Sequence, residues 1–303
     1  MRIKHIDEEK FWSVAYKFNS KVFDSFNLYR LWFREASHLR VFWAREGIDE
    51  KYMGITGNKQ LVGVFNFSKV RFYERKSWGS NEKKYRMEIR ELYFLKDEDT
   101  CIQSIVDFMH RTKEVFGVSS WLYHEELMKT GLDPYARSIV IAWDTKTDVK
   151  KYNRRVKVKA TKEVFNLSVL KEIQHESWSF FMRPDPKRHV VLIAYLDDEA
   201  VGSAYLNVFS GNIDYGVHVK RDYWNQGIGS SILRKALEFY RRRNFKHMFV
   251  IRVLSPITRV GENDRRALSF YISRGGKVIR DYVGFRFKKR GRVQLPRVEA
   301  YFK

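Results

Sequence analysis

The chain has 303 residues, 44% of them hydrophobic and 16% aromatic, which is long enough for two domains of ordinary size and excludes general disorder. Its formal net charge of +22 would attract polyanions. Either a basic, highly charged proteome, such as that of a thermophile with many surface ion pairs, or a nucleic-acid or ribosomal partner would explain this charge. One cysteine, Cys101, excludes an intramolecular disulfide framework, and no run of about 18 apolar residues predicts a membrane span. We expect a globular protein of the cytoplasm that has no membrane partner.

The first half of the chain, residues 1–150, is predicted to form one α/β domain. Apolar residues at helical spacing predict helices over 8–45, and a turn at Gly57-Asn58-Lys59-Gln60 predicts a hairpin. The other patterns are alternating strands and one amphipathic helix. The strands lie at 52–56, 61–67, 87–95, 118–123 and 138–143, and the helix lies at 101–115.

The second half, residues 151–303, is predicted to form another α/β domain. The segment Asp144 to Arg155 has no apolar periodicity and is the best linker between the two. Strands are predicted at 156–159, 192–196, 200–209, 213–219 and 247–254, and helices at 162–180, around 232–240 and around 266–271. The basic cluster at 288–292 is either a solvated hairpin tip or a nucleic-acid contact.

A glycine-containing turn connects the strand at 213–219 to the helix that follows it. The turn reads Trp224-Asn225-Gln226-Gly227-Ile228-Gly229-Ser230, and the two glycines let the backbone come close to a ligand. Amides from Gln226 to Ser230 would point out of the helix N-terminus, where they favour a phosphate or pyrophosphate. A dinucleotide fold would need a third glycine at Ile232, and a P-loop would need Gly-Lys-Ser/Thr, so neither is predicted.

The order of elements and two motifs closely resemble the GNAT superfamily of acyl-CoA-dependent N-acyltransferases over residues 154–288. The phosphate motif Arg/Gln-x-x-Gly-x-Gly/Ala falls on Trp224 to Gly229. The later motif Asn-x-x-Ala-x-x-x-Tyr-x-x-x-Gly falls on Asp264, Ala267, Tyr271 and Gly275. Two positions depart from the family: Trp224 replaces Arg or Gln, and Asp264 replaces Asn.

The first half parallels the second, so the resemblance implies two tandem GNAT-like domains, each a mixed, mostly antiparallel sheet with flanking helices. Leu61-Val62-Gly63 matches Ala200-Val201-Gly202 in pattern and place. Where the second half has its glycine turn, the first has Lys96-Asp97-Glu98-Asp99-Thr100, whose carboxylates would repel a pyrophosphate. We therefore expect 1–150 to be a degenerate domain and 151–303 to bind acyl-CoA.

The resemblance implies acetyl-CoA or another acyl-CoA as the cofactor. Its pantetheine arm would pair with residues 217–219 like an added strand, and a backbone N–H there would polarise the thioester carbonyl. Its pyrophosphate would lie on the glycine turn. The expected cofactor-binding residues are Val217, His218, Val219, Trp224, Asn225, Gln226, Gly227, Ile228, Gly229, Ser230 and Asp264.

The implied activity is N-acetyl transfer to an unidentified amine by direct attack in a ternary complex. Tyr271 matches the family tyrosine that protonates the leaving thiolate, although a core tyrosine would also fit an amphipathic helix. Asp214 and His218 lie four apart on one strand, share a face, and are the candidates for general base. Asp264 could instead cap the last helix.

Two other functions remain open from the sequence. The charge of +22 would suit a non-catalytic or RNA- or ribosome-directed protein that kept the fold. A wider apolar tunnel would suit transfer of longer acyl groups. The scattered histidines predict no metal site, and Cys101 is better explained as a buried thiol than as a nucleophile.

Overall fold

The structure is a computed structural model. It describes residues 1–19, 47–72, 84–112, 115–162, 164–178, 181–254 and 262–287. The predicted helical region 8–45 is therefore described only as far as Asn19, where it is a helix, and the basic cluster at 288–292 lies outside the described residues.

The described ranges contain twelve strands and six helices. The strands Arg2–His5 and Lys277–Phe287 and the helix His124–Lys129 are not among the elements predicted above, and the others follow the predicted order. The strands are β1 Arg2–His5, β2 Gly47–Gly57, β3 Gln60–Phe72, β4 Lys84–Phe94, β5 Val115–Ser120, β6 Leu132–Asp144, β7 Lys157–Lys162, β8 His189–Leu196, β9 Glu199–Asn207, β10 Asn212–Val219, β11 His247–Leu254 and β12 Lys277–Phe287. The helices are α1 Glu8–Asn19, α2 Glu98–Arg111, α3 His124–Lys129, α4 Leu167–Trp178, α5 Ile228–Arg242 and α6 Glu262–Ser273.

The strands pair mainly antiparallel, which confirms the predicted mixed sheet with flanking helices. Parallel pairing occurs between β4 and β5 and between β10 and β11, the strand pairs that are joined through α2 and α5. A helical crossover is what a parallel pair requires, whereas the two-residue turns at Asn58-Lys59 and Asp197-Asp198 join antiparallel strands. All four of these turn residues have positive φ angles.

The chain divides into two compact units. Among the described residues, the first unit takes those within 1–139, 253–265 and 280–303, and the second takes those within 140–252 and 266–279. In the first unit the strands run β1-β2-β3-β4-β5-β12, and in the second they run β7-β8-β9-β10-β11 with the end of β6 beside β11. The first unit thus receives most of β12 from the second half of the sequence, and the second unit receives the end of β6 from the first half, while the boundary near residue 150 stays a prediction about the sequence repeat.

Each unit has its own apolar core. In the first, the buried face of α2 packs on the sheet through Cys101, Ile102, Ile105 and Val106. In the second, Leu170 and Ile173 of α4 pack on the opposite face from α5, whose buried stripe is the one predicted from periodicity. That stripe consists of Ile232, Leu233, Ala236, Leu237 and Tyr240.

Candidate active site

The N-terminus of α5 presents three backbone N–H groups without a protein acceptor. Gly227 precedes the helix in the left-handed conformation, with φ of 76°, and Asn225 is also left-handed. The first amide that makes a helical bond is that of Ser231, which donates to the Gly227 carbonyl at 3.1 Å. Within the described residues the amides of 228–230 make no such bond, so they and the helix dipole form a site for an anion.

Gly227 is required at this turn because the preceding segment packs directly on it. A Cβ at this position would lie 2.9 Å from the backbone nitrogen of Asn153. Asn153 also donates from Nδ2 to the Gln226 carbonyl at 3.0 Å and accepts from Ser231 Oγ at 3.1 Å. This part of the predicted linker 144–155 is therefore docked on the glycine turn and fixes its shape.

Strand β10 leaves its parallel neighbour halfway along, which opens an edge for a ligand. The two strands pair only at Asn212 and Ile213, after which Tyr215 and Gly216 both adopt positive φ angles. On the other side, β10 stays paired with β9 across a bulge. The stretch 217–219, predicted to bind the pantetheine arm, therefore has an edge that β11 does not cover.

Side chains from elsewhere in the second unit contact this open edge at two points. The Val217 N–H donates to Tyr271 Oη at 3.0 Å, and the Val219 carbonyl accepts from Trp224 Nε1 at 2.9 Å. Trp224, which departs from the family pattern, thus connects the glycine turn to the strand through its indole. The contact also places the predicted proton donor beside the amide that was expected to polarise a thioester.

Tyr271 is buried in the split between the strands. It is 4% exposed, and its ring packs edge-on against Trp143 at 5.7 Å between centroids. Burial raises the pKa of the Tyr271 phenol, so the hydroxyl keeps its proton at neutral pH. Because Oη accepts from Val217, its own hydrogen points elsewhere, and no described residue accepts it.

His218 is a neutral, buried imidazole. It is 4% exposed, lies against Trp178 of α4 with 4.6 Å between ring centroids, and has Ser177 Oγ 3.3 Å from Nδ1. Burial, followed by the charge of Arg252, lowers the pKa of His218 to about 4. Nε2 is buried without a hydrogen-bond partner, so in the tautomer whose Nδ1–H donates to Ser177 Oγ this atom can accept a proton without breaking an existing bond.

Asp214 is held in a buried polar network. Its carboxylate accepts from His189 Nε2 at 2.8 Å, Asn207 Nδ2 at 3.2 Å and Asn212 Nδ2 at 2.6 Å. His189 Nδ1 accepts the Asp185 N–H, so the neutral ring carries its proton on Nε2 and donates it to Asp214. Asp214 and His218 do share a face of β10, because they pair with Tyr205 and Ser203, two apart on β9.

A stripe of residues on α6 and directly after it, which the sequence reasoning missed, runs along the glycine turn. The Arg266 guanidinium lies over the Trp224 ring at 4.0 Å, and the Phe270 ring would lie 3.0 Å from a Cβ at Gly229. Arg274 donates from Nε to Ser230 Oγ at 2.8 Å. The spacing of four from Arg266 to Phe270 to Arg274 could have revealed the stripe, since residues so spaced share one helical face.

The remaining predicted residues lie at the edges of this arrangement. Asn225 and Gln226 are exposed on the turn, and Gln226 Nε2 donates to the Asp222 carbonyl at 3.1 Å. Ile228 is buried, and Asp264 is a buried residue of the first turn of α6. In the described ranges no cluster of His, Cys, Asp or Glu could hold a metal ion, and no helix is long and apolar enough to cross a membrane.

Comparison with known proteins identifies the second half of the chain. Residues 158–275 match the model of the acetyltransferase (GNAT) family. No curated protein matches the sequence. The fold is similar to that of a GNAT acetyltransferase from Colwellia psychrerythraea, with 13% identity, a TM-score of 0.51, and coverage of 95% of this chain and 100% of that one.

Two further structures are similar over nearly the whole chain. A glucosamine N-acetyltransferase region of a fungal multi-domain GH3 β-N-acetylglucosaminidase has 12% identity and a TM-score of 0.55, with 94% of this chain and 38% of that one covered. A tandem GNAT protein from the clavulanic acid biosynthesis pathway has 7% identity and a TM-score of 0.48, with 96% and 100% covered. The fold expected from the resemblance is confirmed, and residues 158–275 form an acyltransferase domain of the GNAT family.

Proposed function

We propose that the second domain transfers an acetyl group from acetyl-CoA to an amine. The observation that carries this proposal is the split between β10 and β11, in which a buried, protonated tyrosine bonds the first amide of an open strand edge. The three acceptor-free amides at the N-terminus of α5 lie in the same unit and suit the ligand's pyrophosphate. Bound acetyl-CoA would supply an acyl group activated as a thioester.

The residues that would hold the ligand are mainly backbone groups. The amides of 228–230 would bind phosphate oxygens, and the open edge at 217–219 would pair with the pantetheine arm. In this structure Tyr271 Oη accepts the hydrogen bond of the Val217 N–H. This bond must break before a carbonyl oxygen of the ligand can accept from the same amide. The amide would then stabilise the negative charge that develops on that oxygen during the transfer.

Two side chains would handle the protons of the transfer. His218 Nε2 accepts the proton of the attacking amine as the nitrogen–carbon bond forms, because this atom is neutral and has no partner. Tyr271 donates its hydroxyl proton to sulfur as the carbon–sulfur bond breaks. We assign Asp214 to positioning instead, since its carboxylate already accepts three hydrogen bonds.

Calorimetric titration of acetyl-CoA into native protein and a Ser230→Asp variant tests the proposed function. Ser230 is the third residue of α5, where an aspartate favours the helix dipole and can pair with Arg274, so the variant should remain folded. Its carboxylate would compete for the same amides and repel phosphate. We expect acetyl-CoA binding to fall below detection in this variant, with the unfolding temperature kept.

The matched control is Thr100→Asp, which adds the same charge at the third position of α2 in the first unit. This variant should bind acetyl-CoA as the native chain does. Failure of the native chain to bind would contradict the proposed function, and salt-sensitive RNA binding by such a protein would favour the RNA-directed alternative instead. Equal loss of binding in both variants would show that net charge, rather than the α5 turn, governs the result.

A further inference from the structure

The guanidinium of Arg274 lies at the N-terminus of α5, where a positive charge destabilises the helix. Its Nε donates to the buried Oγ of Ser230 at 2.8 Å, and its Nη1 donates to Ser273 Oγ at 2.9 Å. Ser230 is in the first turn of α5, where the helix dipole presents its positive end and favours anions. A cation fixed at this place raises the energy of the protein unless an anion binds there.

No acidic side chain in the described part of the chain compensates this charge. Arg274 makes no ion pair with a described residue, and its two hydrogen bonds leave three of its five N–H donors without an acceptor in that part of the chain. The side chain is nevertheless held in place, because Ser230 and Ser273 bind it and Phe270 lies 5.8 Å from its guanidinium. It is therefore a positioned cation with unused donors beside three unused amides.

We propose that Arg274 binds the pyrophosphate of acyl-CoA together with the amides of 228–230. The inference rests on the proposed function, because it names a side chain of the same ligand site. A planar guanidinium can donate two parallel bonds to phosphate oxygens, which a backbone amide alone cannot do. Arg274 would then be unfavourable in the free protein and favourable in the complex.

The test compares ligand affinity with stability in Arg274→Gln. Calorimetry on the full chain should give a dissociation constant for acetyl-CoA at least about tenfold weaker than that of the native protein, as expected when charge-assisted bonds to phosphate are lost. The same fold-change should appear with 3′-dephospho-CoA, because this analogue keeps the pyrophosphate. Without ligand, the unfolding temperature should be unchanged or slightly higher, since a cation leaves the helix N-terminus.

The matched control is Arg241→Gln, which removes one positive charge from the last turn of α5, about 16 Å from Ser230. Its affinity should stay within about twofold of native. Native affinity in Arg274→Gln, with acetyl-CoA still bound by the native chain, would overturn the inference and leave the proposed function intact. No binding by the native chain would overturn both.

Two other outcomes would also overturn the role of Arg274. A fold-change that disappears with 3′-dephospho-CoA would move the contact from the pyrophosphate to the 3′-phosphate. A lower unfolding temperature in the absence of ligand, together with native affinity at low temperature, would make Arg274 a structural residue.

Discussion

The two units present the same helix N-terminus with opposite chemistry. Gly227 precedes α5 and Asp97 precedes α2, both left-handed, with φ angles of 76° and 54°. Each carbonyl accepts the N–H of the residue four positions later, Ser231 at 3.1 Å and Cys101 at 2.9 Å. The backbone of the turn is therefore the same in both units, whereas carboxylates at 97–99 replace the glycines at 227 and 229.

The two units also differ in the side chain at one equivalent position of their strand edges. By register against Gly63 and Gly202, Tyr93 in the first unit is the counterpart of His218 in the second. Tyr93 donates its hydroxyl proton to Glu91 at 2.8 Å, whereas His218 Nε2 has no partner. The first unit uses this position for a satisfied polar contact, and the second keeps an unsatisfied base. An incompletely satisfied buried group is costly, which favours a functional role for His218.

The largest effect should come from the pH dependence that His218 gives the second unit. The pKa of His218 is lowered to about 4 from its usual 6.5, so the unfolded chain binds a proton there more readily than the folded protein does. The folded protein therefore loses stability relative to the unfolded chain as the pH falls from about 6.5 towards 4. We expect urea unfolding to show that the native protein loses about 3 kcal/mol more than His218→Gln between pH 7 and pH 4.

His175→Gln is the control, because it removes an exposed imidazole from α4, the helix against which His218 packs. This variant should lose stability with pH as the native protein does. Parallel stability curves for the native protein and His218→Gln would show that His218 is not buried as a neutral ring. The contrast with Tyr93 would then carry no functional meaning.

A smaller loss of stability should follow from a substitution in the bulge of β10, whose backbone differs from that of the bulge in β4. Gly216 has a φ of 85°, and a Cβ there would lie 2.8 Å from Tyr271 Oη. No described residue of β4 has a positive φ, although that strand also contains a bulge. Gly216→Ala should cost about 2 to 3 kcal/mol in unfolding free energy, from backbone strain and the contact with a buried ring.

Gly131 of the first unit provides a matched control. It has the same φ of 85°, but nothing lies within 4 Å of a Cβ built there, so Gly131→Ala should cost only about 1 kcal/mol, from strain alone. In the double variant Gly216→Ala, Tyr271→Phe, part of the difference should be recovered because the hydroxyl is removed. Equal costs at the two glycines would mean that Tyr271 does not pack against the bulge.

Local patterns in the sequence predicted most of the elements, and the resemblance to the GNAT superfamily predicted the fold, but neither predicted the contacts around the candidate site. The order of strands and helices follows from alternation, periodicity and turn residues, which are properties of neighbouring residues. The contact between Arg274 and Ser230 joins residues 44 positions apart, and the donors of Asp214 come from three different strands or turns. The exchange of β6 and β12 between the units also has no local signal. The catalytic and binding roles of the named residues stay predictions.

The smallest expected effect tests whether the carboxylates at 97–99 are the sole reason that the first unit does not bind acetyl-CoA. Replacing it by Asp97→Gly, Glu98→Gln and Asp99→Gly would give α2 a turn with the glycine spacing of α5. We nevertheless expect calorimetry to give one acetyl-CoA per chain before and after the change. Gly131 follows α3 as Gly275 follows α6, each with a φ of 85°, so the position of Arg274 is taken by the uncharged Thr130 in the first unit.

A tyrosine hydroxyl also contacts the strand edge of the first unit, as Tyr271 does in the second. Tyr123 accepts the Phe94 N–H at 3.1 Å, and the two rings pack with 4.6 Å between centroids. Circular dichroism would verify that the triple variant is folded before its stoichiometry is compared with that of the native chain. A second molecule of acetyl-CoA bound by the variant would show that three carboxylates are the whole difference between the units. Unchanged stoichiometry would mean that a ligand site in this fold needs the stripe of Arg266, Phe270 and Arg274 as well as the turn.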